Sequence, residues 1–114
     1  MRAPPKRIKR LLREEAAVAH EEELRRALAL IASAFDRWER GKLSSVELTE
    51  LIHEFHQGAA REVFGRYDRR MVEAAVARAI ATGVLDKSQA PQELLDHLAG
   101  LIEFYQPDSS PSRR

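Results

Sequence analysis

The chain of 114 residues contains no cysteine, only five glycines and five prolines, and only seven aromatic residues (Phe, Tyr and Trp). The absence of cysteine excludes disulfide scaffolds, thiolate metal sites and cysteine nucleophiles. No apolar run approaches the roughly 20 residues that cross a bilayer. The early apolar runs, Leu11-Leu12 and residues 16–19, are both shorter than the about 7–15 residues of a secretory signal. We therefore expect a cytoplasmic protein that does not bind membranes.

The residues that are abundant favour helices. Alanine and leucine together total 30 residues, whereas isoleucine, valine and threonine total 13. No segment shows sustained alternation of apolar and polar residues, and no Asn-Gly or Asp-Gly hairpin turn is present. The sequence predicts an all-α fold, a compact bundle of four or five helices with a long N-terminal helix and short helix-turn-helix connections.

The length fits one domain, and 44% hydrophobic residues with a net charge of only +1 argue against disorder of the whole chain. We predict a flexible N-terminus over residues 1–5 and a single helical domain over 6–105. The polar, proline-containing residues 106–114 are predicted to be a disordered tail.

Helix periodicity predicts the core. No glycine or proline lies between Pro5 and Gly41, so one helix can run from about residue 5 to residue 39. A second helix is predicted over about 45–57, because Ser44 and Glu47 form a candidate capping box. The residues predicted to form the core are Leu24, Leu28, Ile31, Phe35, Trp38, Leu48, Leu51, Ile52, Phe55, Val72, Val76, Ile80, Leu94, Leu98 and Leu101.

The Asp36–Glu47 segment resembles an EF-hand calcium loop, with an acidic residue at each end and Gly41 at the sixth position. The third and fifth positions, which should supply oxygen ligands, are Trp38 and Arg40. An indole offers no oxygen and a guanidinium repels a divalent cation. We therefore expect no calcium binding, and retain only the geometry of two helices joined by a short turn.

His53 and His56 are weak candidates for a metal or acid–base site, since acidic residues surround them. The spacing does not match the HExxH pattern of metalloproteases. The alternative is that His53 faces solvent and His56 borders the core. No catalytic motif, nucleophile arrangement or phosphate-binding loop is visible, so we expect no enzymatic activity and no cofactor.

The stretch 6–13 is the most informative feature, because the first 13 residues carry six positive charges and no negative ones. On a helix its basic residues lie on one side and its apolar residues on the other. We predict that it binds a partner. Its members are Lys6, Arg7, Ile8, Lys9, Arg10, Leu11, Leu12 and Arg13.

The apolar side of this stretch is roughly 180° from the apolar stripe that starts at Leu24, at about 100° per residue. Either the long helix is kinked near His20, so that both faces meet one core, or it is continuous. In the continuous case residues 6–19 would project as a basic amphipathic arm about 20 Å long. An arm exposing Ile8, Leu11 and Leu12 would need a partner.

The main functional hypothesis is a small non-enzymatic interaction or regulatory module that acts through its N-terminal helix, with a protein partner or by self-association. The first alternative is a nucleic-acid-binding accessory protein, because clustered Lys and Arg neutralise phosphates. The second alternative is a metal-binding protein centred on His53 and His56.

Overall fold

The computed structural model describes residues 4–106, and within that range the fold is all-α, as predicted. The predicted flexible N-terminus and disordered tail fall mostly on residues 1–3 and 107–114, which lie outside the described residues. Two 3-10 turns, Arg69–Met71 and Lys87–Gln89, precede the fourth and fifth helices. The five helices are α1 (Lys6–Glu39), α2 (Ser45–Gln57), α3 (Ala59–Arg66), α4 (Val72–Ala81) and α5 (Gln92–Tyr105).

The turn between α1 and α2 is built from local signals. Gly41 adopts a positive φ of 74°, which residues with a side chain disfavour, and its amide donates to the Trp38 carbonyl at 3.0 Å. Ser44 then caps α2, because its hydroxyl accepts from the Glu47 amide while the Glu47 carboxylate accepts from the Ser44 amide. The predicted capping box is confirmed, and α2 begins and ends where the sequence predicts.

The described chain groups into two compact units. Unit 1 contains residues 4–19 and 69–106, and unit 2 contains residues 20–68. Helix α1 is continuous and contributes one segment to each unit.

Unit 1 combines the first segment of α1 with α4 and α5. Arg7 on α1 bonds to Glu93 on α5 at 2.6 Å, and His97 on α5 bonds to Glu73 on α4 at 2.6 Å. Several of its buried residues are alanines, which let helices approach closely. The buried apolar residues of unit 1 are Ile8, Leu11, Leu12, Ala19, Ala75, Val76, Ala77, Ala79, Ile80, Leu85, Leu94, Leu98 and Ile102.

Unit 2 pairs the second segment of α1 with α2 and α3, which run back along it. Trp38 near the end of α1 bonds to Ser45 at the start of α2, and Glu23 near the start of the segment bonds to Arg66 at the end of α3. These two contacts make the arrangement antiparallel. Among the described residues of unit 2, the fully buried apolar ones are Ala34, Leu48 and Val63.

The predicted core is wrong in two respects. Ile8, Leu11 and Leu12 do not project from the protein, since at most 7% of each residue is exposed. Conversely, Leu28, Phe35, Trp38, Ile52 and Leu101 were predicted to be buried and are exposed. The sequence argument considered only one core, which residues 6–19 either joined through a kink or projected from, whereas each unit buries its own set of residues.

Candidate protein-interaction surface

Exposed apolar side chains lie on the adjoining flanks of α1 and α2 in unit 2. Leu28 and Phe35 lie two helical turns apart on α1, and the Phe35 ring contacts the Trp38 ring edge-to-face at 6.2 Å between centroids. The Trp38 indole Nε1 donates to Ser45 Oγ at 3.0 Å. Two turns further along α2, Ile52 lies on the same flank as Ser45. We call Leu28, Phe35, Trp38 and Ile52 the apolar side of unit 2.

Each of these four residues is partly exposed. The exposed fractions are 52% for Leu28, 42% for Phe35, 39% for Trp38 and 40% for Ile52. Taking about 200 Å² for a fully exposed large residue, they present roughly 350 Å² of mostly apolar surface. Exposed apolar surface of this size on a small protein is commonly part of a binding site. The edge-to-face contact and the indole hydrogen bond hold the two rings in place, so little side-chain freedom remains to be lost on binding.

Charged residues border the apolar side along α1. Glu21 and Arg25 form one ion pair at 3.5 Å, and Asp36 and Arg40 form a second at 3.1 Å. All four side chains are more than half exposed. The flank of α1 therefore carries acid, base, acid and base in that order, on either side of the apolar middle.

A polar cluster joins α1 to the end of α3. Glu23, only 9% exposed, accepts hydrogen bonds from Arg66 Nη1 at 2.7 Å and from the Tyr67 hydroxyl. The His20 ring stacks on the Tyr67 ring at 5.0 Å between centroids and meets Phe64 edge-on at 5.3 Å. A buried carboxylate that is satisfied by a cation and a hydroxyl stabilises a structure only while both partners remain in place. The cluster therefore holds α3 against α1.

The predicted partner-binding stretch 6–13 divides into two sets in the structure. Ile8, Leu11 and Leu12 are buried, so an apolar contact through them would require unit 1 to open. The basic residues are exposed and line one shallow depression, and their role in partner binding stays a prediction. They are Lys6, Arg7, Lys9, Arg10 and Arg13.

Two of these cations have acidic partners. Arg7 pairs with Glu93 at 2.6 Å, and Arg10 lies 3.7 Å from Glu14. No acidic group in the described chain lies within salt-bridge distance of the other three, Lys6, Lys9 and Arg13.

The histidine and EF-hand-like candidates do not come together as sites. His53 and His56 are both exposed on α2, so the expectation that His56 borders the core is wrong. Within residues 4–106, no group of three or more His, Asp or Glu residues is placed to hold a metal ion. In the Asp36–Glu47 segment, Asp36 is paired with Arg40 and Glu47 caps α2.

Sequence reasoning did not find the surface of unit 2. The stripe of Leu28, Phe35 and Trp38 was recognised by its helical spacing, but spacing alone predicts burial. The Glu23 cluster joins residues 43 and 44 positions apart, and no local pattern connects them. One available indication was the adjacency of Phe35 and Trp38 to charged residues on both flanks, which is typical of a partly exposed helix face.

No helix of the described chain is both long and apolar enough to span a lipid bilayer. Comparison with protein-family models, with curated protein sequences and with solved structures finds no match for this chain.

Proposed function

We propose that this protein is a small non-enzymatic interaction module that binds a protein partner through the apolar side of unit 2. The observation that carries the proposal is the exposure of Leu28, Phe35, Trp38 and Ile52 on the adjoining flanks of α1 and α2. Two of these residues are aromatic, and aromatic side chains in partly formed pockets are enriched among the residues that dominate binding free energy. Exposed charges surround them, as in the polar rim of a typical interface.

The experiment is photo-crosslinking in the source cells from a light-activated residue placed at position 28 or, as a control, at position 30. Both leucines lie on α1 and are exposed by 52% and 72%, but they point to different sides of the helix. We expect a discrete, saturable protein adduct from position 28 and none from position 30. The identified partner should bind the purified Leu28→Gln variant about tenfold more weakly than the wild type, and Leu30→Gln like the wild type. Equal adducts from both positions, or none from either, would contradict the proposal.

A second candidate function is binding of a polyanion such as nucleic acid on the basic face of residues 6–13. The burial of Ile8, Leu11 and Leu12 favours it, because burial fixes the helix orientation and leaves Lys6, Lys9 and Arg13 facing outward without acidic partners in the described chain. Fluorescence anisotropy with labelled duplex DNA, single-stranded DNA and RNA tests it across a salt series.

Binding at this face should weaken steeply with salt and should be lost in Lys9→Glu. Lys42→Glu is the matched control, because it makes the same charge change at an exposed position in the α1–α2 turn. Binding that is insensitive to salt, or equally weakened by both variants, would rule out this second function.

A further inference from the structure

We infer that the partner on the apolar side of unit 2 is a second copy of this chain, with the two α1 segments side by side and antiparallel. The inference rests on the proposed function, because it names the occupant of the same surface. Three features of that surface support it: the order of its charges, the size of its central residues and the area it offers.

More charges along this flank of α1 are complementary when one copy is reversed than when the two copies run parallel. The sequence of charges bordering the apolar side is acid, base, acid, base at Glu21, Arg25, Asp36 and Arg40. A two-fold axis passing α1 between residues 30 and 31 places Glu21 opposite Arg40 of the second copy. The same axis places Arg25 opposite Asp36 of the second copy. It also places Glu22 opposite Glu39, so two pairs of opposite charge stand against one pair of like charge. A parallel pairing in register would instead oppose like charges, which is unfavourable.

The residues nearest that axis are small. Ala29 and Ala32 are exposed, and the same register brings Ala29 of one copy against Ala32 of the other. Side chains of this size let two helix axes approach to about 8 Å, the lower end of the range for packed helices. Leu28 and Phe35, on either side of this centre, can then close over the contact from both copies.

The area fits a two-fold contact of modest size. A standard interface takes about 800 Å² from each partner, of which about 56–65% is apolar. The roughly 350 Å² of the four apolar residues therefore supplies most of the apolar part. The alanines and the aliphatic stems of Arg25 and Arg40 add to it. Because the contact is isologous, every favourable residue contributes twice. We expect a reversible dimer at micromolar concentrations.

Sedimentation velocity of the full-length protein over a concentration series is the first test. We expect the wild type to shift from monomer to dimer as the concentration rises. Leu28→Gln should raise the dissociation constant by about tenfold or more, since two buried leucines are lost per dimer. Leu30→Gln is the matched control and should dimerise like the wild type. A wild type that stays monomeric throughout, or a dimer unaffected by Leu28→Gln, would overturn the inference.

Charge reversal tests the antiparallel register. Arg25→Glu alone and Asp36→Lys alone should each weaken the dimer, because each opposes like charges across the interface. The double variant Arg25→Glu/Asp36→Lys restores opposite charges between copies, although it keeps both new repulsions within each copy, against Glu21 and against Arg40. We expect its dissociation constant to return close to the wild-type value. A double variant weaker than either single variant would contradict the antiparallel pairing.

The two proposals fail differently. If the protein is monomeric but position 28 crosslinks to another protein, the second copy is excluded and the interaction surface stands. If the protein is monomeric and position 28 gives no adduct, both are wrong.

Discussion

Unit 1 and unit 2 are of similar length, but of the sixteen buried apolar residues in the described chain, thirteen belong to unit 1 and three to unit 2. Several of the buried residues of unit 1 are small residues of α4, such as Ala75, Ala77 and Ala79. Unit 2 leaves its largest side chain, Trp38, 39% exposed among the described residues. The difference indicates that unit 1 is stabilised mainly by its buried apolar core, whereas unit 2 relies more on caps and a polar cluster and buries few apolar residues.

The largest expected effect comes from removing a core leucine of unit 1. Leu12 is 2% exposed, so Leu12→Ala should lower the free energy of unfolding by about 2–5 kcal/mol through lost burial and a cavity. Leu28→Ala, at a residue 52% exposed in unit 2, should cost less than about 1 kcal/mol in the monomer. Urea denaturation at a concentration below dimerisation compares the two. Equal losses would contradict the contrast between the units.

Loss of the Glu23 cluster should have the next largest effect on stability, because unit 2 has few buried apolar residues that could hold α3 against α1 in its place. Glu23→Ala removes the closer of the two carboxylates that bind Arg66, leaving only Glu62 at 3.5 Å, and should destabilise unit 2 by about 3 kcal/mol. The neighbouring Glu22→Ala removes an exposed pair with Arg26 and should cost about 0.5 kcal/mol or less. In Glu23→Ala, the amides of α3 should lose protection from hydrogen exchange, whereas the protection of α5 should stay unchanged. A loss spread evenly over both units would show that the cluster is not specific to unit 2.

The cap of α2 should contribute about 1 kcal/mol to the free energy of unfolding, and Ser44→Ala should remove this contribution. It also predicts a pH dependence. The Ser44 backbone amide, followed by its hydroxyl, lowers the pKa of Glu47 below the usual 4.5. A lowered pKa in the folded state means that the stabilisation is present above the unfolded-state pKa and lost as the pH falls through the folded-state value. Denaturant midpoints should therefore separate Glu47→Ala from the wild type at pH 7 and converge in strong acid. A separation that persists unchanged in strong acid would contradict this role.

The smallest expected effect is a gain in the thermal stability of unit 1. Glu15 lies on the otherwise apolar side of residues 6–19, and its partial burial, with a smaller effect of Glu14, raises its pKa above 4.5. A raised carboxyl pKa makes the ionised form destabilising at neutral pH, and this cost disappears as the pH falls below the unfolded-state value. Glu15→Gln should slightly raise the Tm at pH 7 and leave it unchanged in acid. Glu14→Gln at the adjacent position is the control, and a larger gain from it would contradict the assignment.

Local features of the fold could be predicted, because their causes lie within a few residues. The all-α class follows from composition. The bounds of α2 follow from Gly41, Ser44 and Glu47, since a turn glycine and a capping box specify a helix start by themselves.

The division of the apolar residues between core and surface could not be predicted. Leu28 and Leu12 have similar helical patterns around them, and which is buried depends on elements that lie far away in the sequence. The same applies to the candidate site. The basic residues of 6–13 were visible because they are consecutive, whereas the apolar side of unit 2 depends on the contact of Trp38 with Ser45 across a turn. Periodicity identifies a face but does not say whether the chain itself covers it.

Hydrogen–deuterium exchange of the wild type at a low and a high protein concentration tests the central claim most directly. We predict strong protection of α4 and α5 at both concentrations, because unit 1 is complete by itself. The segment 20–39 of α1 should exchange faster at low concentration and gain protection at high concentration, and this gain should vanish in Leu28→Gln but not in Leu30→Gln. Exchange in residues 20–39 that is independent of concentration and identical in both variants would contradict the claim that a second copy completes unit 2.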